Sequence, residues 1–343
     1  MELAPLVTSL LRPGAYPPDP AGPAGPVELL QTHISYILLT PFFAYKIKKP
    51  VDFGFLDFTT LDKRLHMCEE EVRLNSRLAP GVYIGVVKIT EESGEFYMEG
   101  EGEAVEYAVK MRRLPARYML DRQLAAGHAG PGTIGRIAGV IASFHAGADR
   151  NARISAFGTP KAIGANATEN FAQTLPFIGT GEGKTISAPL YKKIKAFSDG
   201  FLKDNEHLFI ERAEKGFIRD CHGDIHCEHI SVGGGGDGVE IIDCIEFNER
   251  FRFSDTISDA AFLSMDLDYR GRHDLSLAFD EAYLKASGDF GGRRLLDFYR
   301  CYRAYVRGKV EGFKSAEPEV GEEEKALAEF SARYHFHLSG MYA

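Results

Sequence analysis

The feature that most constrains the fold is a change of pattern near Pro115. Before it, short apolar runs rich in β-branched and aromatic residues predict strands, whereas after it apolar residues recur at helical spacing. The first part holds a predicted hairpin over residues 33–49, a helix over 59–78 capped by Thr60, and strands from Val82 and Glu103. We therefore predict an α+β chain with an antiparallel sheet and one helix over residues 27–114, followed by a mainly helical part over 115–343.

The length of the chain agrees with a division into two parts, and its composition limits the kinds of partner that we expect. A chain of 343 residues exceeds what one compact core usually holds. The net charge of −9 argues against nucleic acid or anionic membrane as the main partner; it would suit a cationic substrate or simply an acidic surface. No run approaches the roughly 18 apolar residues of a membrane span, and the five scattered cysteines do not indicate disulfides, so the cytoplasm is the expected location.

Three glycine-rich or proline-rich segments need an interpretation. Residues 1–26 contain the run PGAYPPDPAGPAGP, which predicts an extended lead-in before the structured body. Gly179–Thr185 (GTGEGKT) resembles a phosphate-binding loop, but Ile178 stands where that motif needs its first glycine, so we interpret it as a linker. The Gly233–Gly236 run is interpreted as a turn.

One β-signal interrupts the helical part and carries the chemistry. Residues 229–243 (HISVGGGGDGVEIID) predict two short strands, with Asp224 before the first and Asp243 after the second. Because a hairpin returns its ends to neighbouring positions, the two carboxylates are predicted to lie side by side. Such a pair suits phosphoryl transfer, in which one carboxylate accepts the proton of a hydroxyl and the other holds Mg²⁺ on ATP. Two ordinary turn aspartates are the alternative that the spacing leaves open.

The residues around this hairpin resemble a known family. RDCHGDIHCEH (Arg219–His229) resembles the HGDxHxxN catalytic loop of the aminoglycoside phosphotransferase and choline kinase-like family, and residues 241–263 resemble its metal-binding segment. KIKKPVDFGFLDF (residues 46–58) is similar to a bacterial branch that is sometimes fused to a P-loop ATPase domain. From about residue 27 onward, the resemblance implies a protein-kinase-like bilobal fold and ATP-dependent phosphorylation of a small-molecule hydroxyl. It also implies association with a separate P-loop ATPase-type domain.

The resemblance assigns roles to individual residues. It implies that Asp224 is the catalytic base, that Asp243 binds Mg²⁺, and that Lys46 pairs with the ATP phosphates, with Lys48 as the alternative. It implies that Glu71 holds this lysine. Glu70 is the alternative for that role. ATP is expected between the two parts, with its adenine against the backbone from Lys110 through Met111 and Arg112 to Arg113.

One position departs from the family pattern. His229 stands where the family has an asparagine that serves as a second metal ligand, and imidazole suits Zn²⁺ or Mn²⁺ better than Mg²⁺. A nucleotide-binding pseudokinase without turnover is therefore an alternative function. A metallohydrolase that uses His222, His226 and His229 is a further alternative, although Gly223 argues against the helix that their spacing would need.

Acidic residues near these motifs have interpretations of their own. The resemblance implies that Asp259 hydrogen-bonds the backbone of the catalytic loop. Asp266 and Asp268 are either surface acids or ligands for a cationic acceptor, and Glu246 could assist metal binding.

Overall fold

The computed structural model describes residues 4–18, 25–54, 56–233, 238–318 and 320–343. Within these residues the strands are β1 (Glu28–Gln31), β2 (Ser35–Leu39), β3 (Phe43–Lys48), β4 (Tyr83–Glu92), β5 (Glu95–Met98), β6 (Glu106–Arg112), β7 (Ile218–Asp220), β8 (Ile230–Val232), β9 (Val239–Ile241) and β10 (Phe253–Asp255). The helices are α1 (Pro5–Leu10), α2 (Leu61–Asn75), α3 (Leu120–Ala125), α4 (Pro131–Gly147), α5 (Ala152–Ser155), α6 (Pro160–Thr174), α7 (Ala188–Asp204), α8 (Glu206–Glu214), α9 (Glu249–Arg252), α10 (Thr256–Tyr269), α11 (His273–Ser287), α12 (Leu296–Ala316) and α13 (Glu322–Tyr342).

The chain divides into two compact units. The first comprises Met1–Arg122 and His229–Glu249, and the second comprises Gln123–Glu228 and Arg250–Ala343. The division differs from the predicted one, which placed everything after residue 114 in the helical part. The β8–β9 hairpin belongs to the first unit because its backbone bonds to the end of α2, where Ile241 N–H donates to the carbonyl of Leu78 at 3.2 Å.

The first unit is built on a six-stranded antiparallel sheet in the order β1-β2-β3-β6-β4-β5. The predicted hairpin is confirmed, since β2 and β3 pair with Tyr36 opposite Ile47. The predicted helix is also confirmed as α2, whose first turn is capped by the Thr60 hydroxyl accepting from Lys63 N–H at 3.3 Å. The strand β1 was not predicted.

Alternation along β3 determines what each face of the sheet carries. Tyr45 and Ile47 point to one face, where they pack with Leu38 and Ile89. Ala44 points to the other face, which packs against α2. Lys46 and Lys48 share that second face by period two, so both amines are directed toward the helix.

The prediction of an extended lead-in over residues 1–26 is wrong for its described part. Helix α1 and a 3₁₀ turn at Pro13–Ala15 pack on the sheet, with Leu10 and Ala15 fully buried. The Ser9 hydroxyl accepts a hydrogen bond from Phe96 N–H at 2.9 Å. The sheet face that carries Tyr45 is apolar, so its removal from water is favourable. The N-terminal segment packs on this face and buries it. Residues 19–24 of the predicted lead-in lie outside the described residues.

The second unit is mainly helical, as predicted. Helix α12 packs along α13 and α10, and α4 packs along α11 with Ile134, Ile137 and Ile141 fully buried. The predicted α+β class, with an antiparallel sheet in one unit and helices in the other, is confirmed. Among the residues that the structure describes, no helix is long and apolar enough to cross a membrane.

The Gly179–Thr185 segment lacks the architecture of a phosphate-binding loop. A 3₁₀ turn at Leu175–Phe177 precedes it, where that motif needs a strand. Lys184 is engaged locally, its Nζ donating to the carbonyl of Pro176 at 2.6 Å. The linker interpretation therefore stands. For the other glycine run, residues 234–236 lie outside the described residues.

Candidate active site

The first unit gathers predicted site residues around Lys46. Its Nζ lies 2.9 Å from Glu71 Oε1 and 2.6 Å from Asp243 Oδ1. The Glu71 side chain is fully buried, whereas the Asp243 side chain is 42% exposed. Glu70, the alternative to Glu71, instead pairs with Arg73 on the exposed face of α2. A strand lysine, a helix glutamate and a loop aspartate thus meet at one point.

A second lysine extends this cluster into a chain of alternating charges. Lys48 Nζ lies 2.8 Å from Glu71 Oε2 and also contacts Glu246 Oε1. Glu71 therefore bridges the two lysines, and Lys48 ties α2 to the segment that follows Asp243. Glu246, suggested from the sequence as a metal ligand, is buried against Lys48 instead. From the sequence, Lys48 was predicted only as an alternative to Lys46. Alternation along the strand shows that the two lysines share a face of the sheet, but it does not show which carboxylates each of them contacts.

The pKa shifts in this cluster follow from burial opposed by pairing. Burial by itself lowers the pKa of Lys46, but attraction to Asp243 and Glu71 raises it well above its ordinary value. Burial would raise the pKa of Glu71, and the two lysines overcome this and lower it. The pKa of Glu246 is raised, chiefly by its burial. Both lysines therefore remain charged at neutral pH, which suits the binding of anionic phosphate.

The turn that bears Asp243 is fixed by polar contacts with α2 and β4. Asp243 N–H donates to the Tyr83 hydroxyl at 3.1 Å, and Cys244 N–H donates to Asn75 Oδ1 at 2.8 Å. Asp243 has a positive φ of 65°, a left-handed conformation that aspartate tolerates better than most residues. These contacts hold the turn in that conformation and keep the Asp243 carboxylate beside Lys46.

His229 and Asp243, the two predicted metal ligands, lie close together. His229 Nε2 is 3.5 Å from Asp243 Oδ2, and the side chains are 17% and 42% exposed. The hairpin brings them together, since Ile242 N–H donates to the carbonyl of His229 at 2.9 Å. One carboxylate and one imidazole at this separation could contact the same cation. That donor set fits Mn²⁺ or Zn²⁺, and it fits Mg²⁺ through the carboxylate alone.

The predicted adenine contacts at Lys110, Met111 and Arg112 stay a prediction, and these residues lie within the sheet. These residues form the end of β6, a central strand paired with both β3 and β4. Arg112 N–H donates to the carbonyl of Val82 at 2.8 Å, and Arg113 N–H donates to that of Phe42 at 2.8 Å. Because the sheet engages these donors, the backbone first leaves the sheet at the residue after them, Leu114.

In the second unit, Asp259 anchors the loop that carries Asp224. Its two oxygens accept hydrogen bonds from the backbone N–H groups of His222 at 2.9 Å and Gly223 at 2.8 Å. His145 Nε2 lies 3.2 Å from the same carboxylate. The implied structural role of Asp259 matches this geometry. Burial alone would raise the pKa of Asp259, but His145, with smaller effects from His222 and Arg303, lowers it to about 2.

We expect Asp259→Asn to destabilise the second unit in a pH-dependent way. The pKa is lowered from 3.8 to about 2, so the carboxylate contributes about 2 kcal/mol, present above pH 4 and lost as the pH falls toward 2. Urea unfolding should show a deficit for the variant at pH 7 that shrinks between pH 4 and pH 3. Asp274→Asn, at an exposed pair, serves as the control. A deficit independent of pH would contradict this account.

Asp224 itself is accessible and has a histidine neighbour. Its side chain is 29% exposed, and its Oδ2 lies 3.6 Å from His226 Nε2. Burial alone lowers the pKa of His226, but the nearby Asp224 carboxylate produces a net increase. Asp224 and Asp243 belong to different units, and their predicted proximity stays a prediction.

The structure assigns Asp266 and Asp268 to internal contacts. Asp266 is buried and accepts from Cys227 N–H at 2.8 Å and from Arg270 Nε at 3.0 Å. Asp268 accepts from the Tyr342 hydroxyl at 2.5 Å and contacts His273 Nδ1 at 2.9 Å. Neither is a free surface acid, and neither offers its carboxylate to a cationic acceptor. Spacing along the chain could not reveal these partners.

The three-histidine metal site required by the metallohydrolase alternative is not supported. His222 is fully buried, and its Nδ1 accepts a hydrogen bond from Asp224 N–H at 3.3 Å. Among the described residues, no cluster of candidate metal ligands includes His222. The residue instead stabilises the loop from beneath.

Comparison with known proteins gives relatives without an assigned activity. No family model matches the chain. An uncharacterized protein of Mycobacterium tuberculosis is 36% identical over 296 residues, which are 86% of this chain and 57% of that protein. An uncharacterized protein of Mycobacterium bovis matches with the same identity and coverage. The chain therefore spans a little over half the length of these relatives.

Two solved structures match this chain over most of its length at low sequence identity. A choline/ethanolamine kinase family protein from Mesorhizobium loti is 12% identical, with a TM-score of 0.49 over 92% of this chain and 93% of that one. A glucosamine kinase in complex with glucosamine, ADP and inorganic phosphate is 13% identical, with a TM-score of 0.47 over 94% and 76%. At these scores neither likeness carries a conclusion about activity.

Proposed function

We propose that this chain is an ATP-dependent phosphotransferase that moves the γ-phosphate to a hydroxyl of a small molecule. The observation that carries the proposal is Lys46, held between the buried Glu71 and the accessible Asp243. Phosphoryl transfer needs a fixed cation for the phosphates and a carboxylate for their metal ion. A lysine restrained by a buried glutamate meets the first need, and Asp243 meets the second.

The first unit also offers an apolar surface for the adenine ring. Ala44 lies on the same strand and face as Lys46, and half-buried side chains pack around it: Ile37, Leu39, Leu114 and Ile242. A flat aromatic base is bound chiefly by apolar contact, with polar groups at its edge. We infer that the backbone at Leu114, where the chain leaves the sheet, supplies that edge.

Asp243 would hold the magnesium ion, with His229 as its neighbour. Bound Mg²⁺ would offset the negative charge of the phosphates. In the described structure Lys46 pairs directly with Asp243, so binding of the nucleotide requires Lys46 to turn toward phosphate oxygen. Glu71 limits how far Lys46 can move, because Lys48 fixes Glu71 from the other side.

Asp224 would accept the proton of the attacking hydroxyl. Its carboxylate is accessible and its loop is fixed by Asp259, so the group is positioned with little freedom. His226 Nε2 lies 3.6 Å from Asp224 Oδ2, close enough to help orient the carboxylate that would act as the base. The test of the proposed function is ADP formation from Mg-ATP over a panel of small alcohols.

We expect Asp243→Asn to abolish Mg²⁺-dependent ATP binding while Lys46→Met weakens ATP binding with or without metal. The reason is that the carboxylate contributes through the ion, whereas the lysine contacts phosphate itself. Calorimetric titration of ATP with Mg²⁺ and with EDTA separates the two effects. Lys63→Met, at an exposed lysine of the same unit, is the control. Equal binding by wild type and Asp243→Asn in Mg²⁺ would exclude the assignment.

A nucleotide-binding pseudokinase is the second candidate, and His229 favours it. An imidazole in place of an amide oxygen weakens a second Mg²⁺ site. This candidate predicts ATP binding without ADP formation for every alcohol tested. Conversion of ATP by the wild type, lost in Asp224→Asn, would exclude it.

A further inference from the structure

We propose that the acceptor is an anionic alcohol whose carboxylate or phosphate group is bound by Arg307 on α12. The inference rests on the proposed function, because it names the class of molecule whose hydroxyl would reach Asp224. It concerns residues of the second unit alone.

Helix α12 brings Arg307 to the loop that carries Asp224. Arg303, one turn earlier, donates from Nη1 to the carbonyl of Gly223 at 2.8 Å and from Nε to that of Ser258 at 3.1 Å. Residues four apart share a helix face, so Arg307 projects from the same side of α12. It is close enough to His226, the partner of Asp224, to interact with it electrostatically.

Three other basic side chains near this loop, among the described residues, are either engaged or uncharged at neutral pH. Arg270 donates to Asp266 and, from Nη2, to Glu228 at 3.0 Å. Arg303 donates to two backbone carbonyls. His335 is buried, its Nδ1 lies 2.9 Å from the carbonyl of Ser331, and its pKa is lowered, mainly by burial, to about 4. None of these three side chains is therefore placed to pair with a negatively charged group of the acceptor.

Arg307 makes fewer hydrogen bonds than the two other arginines. Within the described residues its hydrogen-bonding partner is Glu311, at 3.0 Å and one turn further along α12. The two side chains are 26% and 17% exposed, and the pair joins residues one turn apart on the same helix. A guanidinium has five N–H donors in a planar fork that matches carboxylate and phosphate. An incoming anion can therefore bind while Glu311 is retained or displaced.

The acidic residues that could have bound a cationic acceptor are paired with other side chains of the chain. Asp266 and Asp268 are paired with Arg270, His273 and Tyr342. Two accessible carboxylates lie near His226: Asp224, which the proposed chemistry uses as a base, and Glu228, which pairs with Arg270. Among the described residues, Arg307 therefore offers a positive charge for recognising an acceptor.

The experiment measures binding first and turnover second. Hydroxy acids, sugar phosphates, uncharged polyols and amino alcohols of matched size are titrated calorimetrically into the full chain without nucleotide, and ADP formation is then measured with Mg-ATP. We expect anionic alcohols to bind best and Arg307→Ala to weaken them about 10- to 100-fold, with Arg307→Lys intermediate. Glu311→Gln should strengthen binding, since it removes a competing carboxylate. Lys314→Ala, at another ion pair of α12, is the control.

The outcomes separate the inference from the proposed function. Anion binding that depends on Arg307 but without ADP formation supports the inference and contradicts phosphotransfer. ADP formation with uncharged or amino alcohols, unchanged in Arg307→Ala, supports phosphotransfer and overturns the inference. Failure of every anionic alcohol to bind the wild type also overturns it. The relative affinities for hydroxy acids and sugar phosphates decide between carboxylate and phosphate.

Discussion

Asp224→Asn should lower the rate of ADP formation by about 10²- to 10⁴-fold while leaving the fold and ATP binding intact. The amide keeps the size of the carboxylate but cannot accept a proton from the acceptor hydroxyl. The loop stays in place because Asp259 and Arg303 bind its backbone, and neither contact involves the Asp224 side chain. Steady-state rates at saturating Mg-ATP, together with calorimetric titration of ATP, measure the two quantities separately.

A control variant and two contrary outcomes test this prediction. Asp199→Asn, at an exposed ion pair of α7, should leave rate and stability unchanged. A rate near wild type in Asp224→Asn would remove Asp224 from its proposed role, whatever the fold. Loss of ATP binding in the variant would instead mean that the carboxylate holds the nucleotide.

Lys48→Met should cause the largest loss of stability among single changes in the first unit, about 3–5 kcal/mol. Lys48 is fully buried between Glu71 and Glu246, and both of those side chains are almost completely inaccessible. Removing the amine leaves two buried carboxylates, with Lys46 still beside them. Their mutual repulsion in a buried site of low dielectric is the physical reason for the cost. Urea unfolding followed by circular dichroism measures it.

A double variant distinguishes lost charge from lost packing. In Lys48→Met with Glu246→Gln, one of the uncompensated carboxylates is gone, and part of the stability should return. Lys88→Met, on strand β4 with a contact to the carbonyl of Gly102, is the control and should cost less than about 1 kcal/mol. If the double variant were as unstable as the sum of the two single variants, the charge account would be wrong.

Much of the fold was predictable because local pattern and tertiary structure agree. The hairpin β2–β3, helix α2 and the short β8–β9 hairpin all form where alternation, capping and turn residues indicate them. The N-terminal segment was misjudged for a physical reason. Proline and glycine predict an absence of regular structure, but they say nothing about an apolar sheet face elsewhere that Leu10 and Ala15 can cover.

For the candidate site, the residues involved could be predicted from the sequence, but the contacts that each of them makes could not. The resemblance to a known family indicated Lys46, Glu71 and Asp243, and the structure brings these three together. Alternation along the strand gave Lys48 as an alternative, and the sequence left Asp266 open to a ligand. Both have specific partners that lie far away along the chain, on other elements.

The sequence by itself indicated most of the helices and strands and suggested which residues carry chemistry, because secondary structure and motif depend on neighbours along the chain. Only the tertiary structure decided which charges are already neutralised. Asp266 is occupied by Arg270 and a backbone amide, whereas in the described part of the chain Arg307 is hydrogen-bonded to Glu311. The reason is that burial and pairing are set by contacts between distant elements, and these decide whether a charge is structural or available to bind.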